Sequence, residues 1–304
     1  MRERVRLLVI GLMIAMLAGS AGSALAQTPI TAESDGYAHP EWFADVSWLQ
    51  AHLDDPRVTV VALTPEEDFL AGHIPGAAQV DWPALEVLET SDASVEDWRV
   101  NVEAILTALG ISRSDAVVVY DGGTFIAARL WWILHQLGHE DVRVLNGGLE
   151  AWVAEGGELE QGESRVQPAA EPYVGQPNEE ALIQIDEAEE ALGQDSTIFV
   201  DARRFEDEYA LGHIPGAINI PFMANAVSEG PKYWKSADEL NAMYEDAGVT
   251  KDKRVVAYCA SGVRSAVTYF TLLQLGYEDV AVFTGSFAEW SSDPSRPVET
   301  AEAP

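Results

Sequence analysis

The feature that most constrains this chain is a long internal repeat. Gly72-His73-Ile74-Pro75-Gly76-Ala77 returns as Gly212-His213-Ile214-Pro215-Gly216-Ala217, 140 residues later. Leu137-Gly138-His139-Glu140-Asp141-Val142 returns as Leu275-Gly276-Tyr277-Glu278-Asp279-Val280, and Val117-Val118-Val119-Tyr120-Asp121 as Val255-Val256-Ala257-Tyr258-Cys259, both 138 residues later. Trp152 matches Trp290 at the same spacing. Blocks in one order at nearly one spacing mean duplication of a whole domain, because the period is far above that of a solenoid unit. With 304 residues the chain has room for two domains. The copies are expected over 40–160 and 178–298. The stretch 161–177, with three prolines and two glycines, reads as the linker.

Within each copy, short β-rich runs alternate with helical stretches. Val58–Val61, Val117–Tyr120 and Val142–Leu145 in the first copy, and Thr197–Val200, Val255–Tyr258 and Val280–Phe283 in the second, read as buried strands. Ile126–Leu137 and Arg264–Leu275 carry apolar residues at helical spacing and end at Gly138 and Gly276, which are good helix stops. This alternation predicts an α/β fold in which each copy is a mainly parallel central sheet with helices on both faces. Trp131, Trp132, Trp152 and Trp290 are expected to pack helices onto sheets.

Charge excludes whole classes of partner. Asp and Glu number 50 against 18 Lys and Arg, a net −32. Nucleic acid and anionic membrane surfaces need a basic footprint, so neither is expected. Residues 1–26 read as a secretory signal peptide: basic Arg2, Arg4 and Arg6, apolar Leu7–Leu17, then a small-residue cleavage site at Ala24-Leu25-Ala26. The mature chain is therefore expected to be exported, periplasmic or extracellular, with no stable membrane span and a charge of −34 once those arginines and Glu3 are removed. One cysteine, Cys259, allows no internal disulfide and no thiolate metal cluster, so no cofactor or metal is expected.

The copies disagree where chemistry is expected. In parallel α/β sheets ligands bind at the carboxyl ends of strands. There the second copy reads Cys259-Ala260-Ser261-Gly262-Val263-Arg264-Ser265, leaving a strand and entering a helix. Unpaired amides and the positive end of a helix dipole favour an anion at such a place. Gly262 lets the loop curl, Ser265 can cap the helix and Arg264 adds a fixed positive charge. The combination is a cradle for a thiolate, a persulfide or a bound oxyanion. The first copy has Asp121 in place of the cysteine, which can neither attack sulfur nor carry it.

On these residues the chain resembles the tandem-domain rhodanese family, the thiosulfate and 3-mercaptopyruvate sulfurtransferases. The resemblance spans nearly all of 40–298. It rests on Asp201-Ala202-Arg203 followed by the Gly212–Ala217 turn, on the Cys259 loop, and on Arg129-Leu130-Trp131-Trp132 with Leu145-Asn146-Gly147-Gly148 in the first copy. It implies two rhodanese-like domains, an inactive first copy and a catalytic second copy, with the site at their interface. It further implies that Cys259 takes a sulfane sulfur from a small-molecule donor as a persulfide and yields it to a thiophilic acceptor such as cyanide or a thiol. Residues 260–265 would bind substrate and stabilise the persulfide.

Asp201, Arg203, His73 and Arg129 are supporting candidates. The first two read as a strand-end ion pair, His73 and His213 as parts of tight turns, and Arg129 as a domain-interface residue. Some family members pair the cysteine with an aspartate and a histidine of the first domain. Here His73 is present, but the aspartate position falls at Ala62 or Leu63. The loop sequence Cys-Ala-Ser-Gly-Val-Arg matches neither the usual mercaptopyruvate nor the usual thiosulfate pattern, and Glu206, Asp207 and Glu208 occupy a stretch where long members carry substrate-binding arginines. Thiosulfate is the expected donor, because a small dianion suits a compact cationic loop; mercaptopyruvate is the alternative. A non-turnover sulfur carrier is a further reading. A cysteine phosphatase or arsenate reductase is the least favoured, since only four residues separate Cys259 from Arg264.

Overall fold

The computed structural model describes residues 36–302, so the leader expected over 1–26 lies outside the described residues. The first domain runs β1 (Phe43–Ala44), α1 (Val46–His52), β2 (Val58–Leu63), α2 (Glu66–Ala71), β3 (Ala78–Val80), α3 (Asp92–Ala108), β4 (Ala116–Tyr120), α4 (Ala127–Gln136), β5 (Val142–Leu145) and α5 (Gly148–Ala154). The second runs β6 (Leu182–Ile183), α6 (Ile185–Ala191), β7 (Thr197–Asp201), β8 (Ile218–Asn219), α7 (Ala237–Asp246), β9 (Arg254–Tyr258), α8 (Ser265–Gln274), β10 (Val280–Phe283) and α9 (Ser286–Trp290). Each domain holds one five-stranded, wholly parallel sheet, in the orders β1-β5-β4-β2-β3 and β6-β10-β9-β7-β8. Central strands covered on both faces need continuous apolar runs, and β4 is buried at every position.

Helices α4 and α8 are apolar nearly all round because each packs on its own sheet and on the other domain. Trp131 meets Phe270 edge-on at 4.7 Å, and one apolar core includes residues of both domains. Trp152 and Trp290 pack in the outer layer, each indole donating to a backbone carbonyl at 2.8 Å. Trp131 and Trp132 have a second task that the sequence did not suggest: they line the seam between domains, Trp132 donating across it to the Ala181 carbonyl at 3.3 Å. The segment 161–177 is a packed strap rather than a free tether. Tyr173 is buried against His139, and the Gly175 and Gln176 amides donate to Glu103 and to the Leu137 carbonyl.

Strand register aligns the copies residue by residue. Ala62 lies opposite Tyr120, and Asp201 opposite Tyr258, so Ala62 and Thr64 stand where the second copy has Asp201 and Arg203. The spacing between copies therefore grows by one residue before Gly212. That extra residue is absorbed in Phe205–Tyr209, a π-helical turn where the first copy has α2. Its amides reach back five residues, Tyr209 to Arg204 and Ala210 to Phe205. Such turns are the usual outcome of a single inserted residue and recur at functional sites.

Candidate active site

Cys259 leaves the carboxyl end of β9 and is completely buried. Its backbone amide donates to Ser286 Oγ at 3.1 Å, and Ser286 in turn donates to the Phe283 carbonyl. Ser286 holds φ +56°, an uncommon conformation for a residue with a side chain, and the first copy has Gly148 there at +57°. A serine at a glycine position exchanges backbone comfort for a hydroxyl that fixes the start of the cysteine loop. The sequence analysis missed Ser286, although comparison with Gly147-Gly148 carried the signal.

The first copy shows what the loop is shaped to hold. The Asp121 carboxylate, at the position of Cys259, accepts from the amides of Gly123, Thr124, Phe125 and Ala127 at 2.7–3.2 Å. Burial pushes its carboxyl up while those four donors pull it back. In the second copy the matching residues are Ser261, Gly262, Val263 and Ser265. Among the described residues none of their amides has an acceptor. The second copy thus keeps an open ring of donors around its cysteine, where the first copy fills the same ring with its own carboxylate. Ala260 and Ser261 are partly exposed and form the approach to this ring. Gly262 holds φ +86°, and a Cβ there would lie 2.5 Å from the Thr284 carbonyl oxygen, so no other residue fits without movement. Ser265 does not cap α8: its hydroxyl donates to the Gly262 carbonyl at 3.0 Å, bracing the loop from within.

Arg264 is not free to receive substrate alone. Its guanidinium donates two bonds to Glu208, at 2.6 and 2.7 Å, and also interacts with the Cys259 side chain. The pairing holds the Glu208 carboxyl well below the usual range, at about 2, and raises Arg264. Glu208 projects from the π-helical turn, so the inserted residue is part of what delivers it. The sequence marked the acidic stretch as a missing arginine site; the structure gives one of its members a definite partner.

Arg129 reaches the loop from the other domain. It is completely buried and donates to the Gly262 and Leu85 carbonyls and to Thr284 Oγ1, at 3.3, 2.9 and 3.2 Å, with its guanidinium 4.5 Å above the Trp132 ring. Burial lowers it to about 10, against an opposing pull from Cys259. Across the same interface Thr90 donates its amide and hydroxyl to the buried carboxylate of Glu289 at 2.7 and 2.6 Å.

The remaining candidates stand farther back. Asp201 and Arg203 form a buried ion pair at the end of β7. Arg203 also donates to the Gly212 carbonyl and lies 4.0 Å over Phe287, whose amide donates to the Cys259 carbonyl. They support the loop from beneath. His73 stacks on Phe69 and bonds its carbonyl, all within the first domain, so the structure does not bring it to Cys259. His213 makes the same contacts with Tyr209. Among the described residues no cluster of three or more His, Cys, Asp or Glu is placed to hold a metal, and no helix is long and apolar enough to cross a membrane.

Known proteins were compared with this geometry. The rhodanese-like domain family matches twice, over residues 45–155 and 184–293. The sulfur carrier protein TtuD of Thermus thermophilus is 37% identical over 88% of this chain and 99% of its own length. The thiosulfate sulfurtransferase of Corynebacterium glutamicum is 35% identical over 88% and 93%. The crystal structure of SseA from Escherichia coli, described as a 3-mercaptopyruvate sulfotransferase with the rhodanese fold, superposes with a TM-score of 0.71 at 30% identity, covering 82% of this chain and 99% of its own. The chain belongs to the rhodanese family, as a tandem-domain sulfurtransferase of the 3-mercaptopyruvate/thiosulfate type.

Proposed function

We propose that this chain is an exported sulfurtransferase that takes sulfane sulfur from thiosulfate on Cys259 and passes it to a thiophilic acceptor. The observation that carries the reading is the ring of unengaged amides around Cys259, set against the identical ring closed by Asp121 in the silent copy. In the first half-reaction the Cys259 thiolate attacks the outer sulfur of thiosulfate. A new S–S bond forms, the old one breaks, and sulfite leaves with the electron pair. In the second, cyanide or a thiolate attacks the outer persulfide sulfur and the Cys259 thiolate departs. Electrons balance without an external oxidant. The amides of Ser261, Gly262, Val263 and Ser265, with Arg264, offset the negative charge that remains on the persulfide. Export rests on the leader-like residues 1–26.

One observation favours a second reading, a sulfur carrier that hands its persulfide to a protein partner: the similarity to a sulfur carrier protein. Mercaptopyruvate is the alternative donor, supported by Ser261. Steady-state transfer to cyanide from each donor, with intact-mass analysis, separates these. Turnover with thiosulfate, a gain of about 32 Da on the wild type and none on Cys259→Ser are expected for one covalently held sulfur. Faster turnover with mercaptopyruvate would overturn the donor assignment. A stable persulfide with negligible turnover would establish the carrier.

A further inference from the structure

The silent copy also differs from the catalytic one beneath its loop. In the catalytic domain the space between the β7 end, Gly212 and Phe287 is filled by the Arg203 side chain on Asp201. Register puts Ala62 and Thr64 at those two positions. Leu149 replaces Phe287, each donating its amide to the carbonyl of the Asp121 or Cys259 position. Three large or charged side chains have become small or aliphatic, and beside them a cleft of about 620 Å³ opens at the carboxyl end of the first sheet. A volume in this range is typical of small-molecule sites.

Three groups lining the cleft have hydrogen-bonding capacity that nothing uses. The Thr64 hydroxyl is buried without a partner. Tyr120 Oη accepts from the Ile74 amide, and its own proton has no acceptor among the described residues. His73 bonds through Nδ1 to the Phe69 carbonyl, and its Nε2 is without a partner among the described residues. Of the three, the buried and unpartnered Thr64 hydroxyl is the costly one unless something meets it.

Charge defines the occupant. No Lys or Arg lines the cleft, and Ile126 stands where the catalytic copy has Arg264. Asp68 lies at its exposed rim, which disfavours an anion. A buried cation would find no carboxylate, since Ala62 replaces Asp201. We propose that this cleft is a second ligand site, separate from Cys259, for an uncharged and largely apolar organic molecule carrying a carbonyl-type hydrogen-bond acceptor. Its walls hold the apolar body, and the Tyr120 and Thr64 hydroxyls meet the acceptor.

The test is titration of the mature protein with benzamide, benzoate and benzamidine, near-isosteres of charge zero, −1 and +1, followed by amide and indole NMR signals. Benzamide should shift the Trp82 indole and the Thr64 and Tyr120 amides saturably, with benzoate and benzamidine at least tenfold weaker. Leu149→Trp, which projects an indole from the cleft wall into the space, should abolish those shifts while leaving sulfur transfer unchanged. Thr64→Val, which removes only the hydroxyl, should weaken benzamide threefold or more and serves if the larger substitution does not fold. Absence of saturable shifts, equal binding of either charged probe, shifts confined to the Cys259 loop, or undiminished binding to the variants would overturn the proposal.

Discussion

Replacing Glu208 by Gln should make this enzyme better at using thiosulfate. The carboxylate lies against one edge of the Arg264 guanidinium, at 2.6–2.7 Å, and Arg264 also reaches Cys259. For a dianion on the far side of the guanidinium we take a separation of about 7 Å from the Glu208 charge as an order-of-magnitude value. Two charges repelled by one at that distance lose about 1.2 kcal/mol at a water-like dielectric and about twice that at half the dielectric constant. Glutamine keeps the shape and one acceptor while removing the charge, so KM for thiosulfate should fall roughly seven- to fiftyfold, at about 1.4 kcal/mol per tenfold. Mercaptopyruvate carries one negative charge and should gain only about half as much in free energy, which shifts selectivity toward thiosulfate. Salt supplies a second signature. In a chain of −32 the wild type should use thiosulfate faster as moderate salt screens the surrounding field, and the variant should show a flatter dependence. Steady-state kinetics with both donors at two salt concentrations decide the matter. An unchanged KM with kcat reduced tenfold would refute the electrostatic argument and leave Glu208 as a residue that only positions Arg264.

Three further outcomes are expected. Gly262→Ala places a methyl 2.5 Å from the Thr284 carbonyl at φ +86°, and should cost about 3 kcal/mol from left-handed strain and a displaced loop, read as a lower urea midpoint together with lost sulfur transfer. Arg129→Met keeps the apolar stem but strands the Gly262 and Leu85 carbonyls; urea melts should show about 2–4 kcal/mol of destabilisation, and an unchanged midpoint would mean the interface does not depend on it. His135, stacked on Trp131 in the seam, is lowered by burial to about 4. Its folded value lies below the unfolded one, so its contribution is present above pH 6.5 and is lost as pH falls toward 4. The gap sets a ceiling of about 3 kcal/mol. Across that window thermal melts should show the wild type losing stability as pH falls and His135→Phe losing less, because the variant lacks this component; parallel pH dependence would refute it.

The sequence was informative wherever local pattern decides structure. Uninterrupted β-branched runs produced the central strands, and Gly138 and Gly276 ended the central helices because they take positive φ there. The short edge strands Phe43–Ala44 and Leu182–Ile183 were invisible, since two residues carry no periodicity. Cys259 was legible as a lone cysteine between strand and helix, and Gly262 as the residue that lets the loop turn. Arg264 was legible only as a charge. Its partner comes from a separate turn whose conformation depends on one inserted residue, and an insertion reveals itself only when the register of both sheets is known. Ser265 was misread for a related reason: a hydroxyl at a helix start is a capping signal by sequence, but a neighbouring carbonyl claimed it. Ser286 was marked in the sequence only by its departure from Gly148 of the first copy, and Thr284 could be recognised only once β10 had brought it beside the loop.

The first domain also has a structural part in the cysteine site of the second. The loop that holds Cys259 is braced on one side by its own β10 corner, through Ser286 and Thr284, and on the other by Arg129 from the silent copy. A guanidinium so far from solvent needs the Trp132 ring beneath it and the Leu85 carbonyl beside it, both supplied by the first domain. The chain is strongly acidic, yet three of its few arginines are directed inward: Arg129 to the loop carbonyls, Arg203 to Asp201, Arg264 to Glu208 and Cys259. Of these, Arg129 and Arg264 are the two that bear on the cysteine loop, while Arg203 is neutralised by Asp201. The domain interface does for this site what a basic surface does for other anion-handling enzymes, since only a site enclosed by two domains can keep cations close to the cysteine while the exterior stays negative.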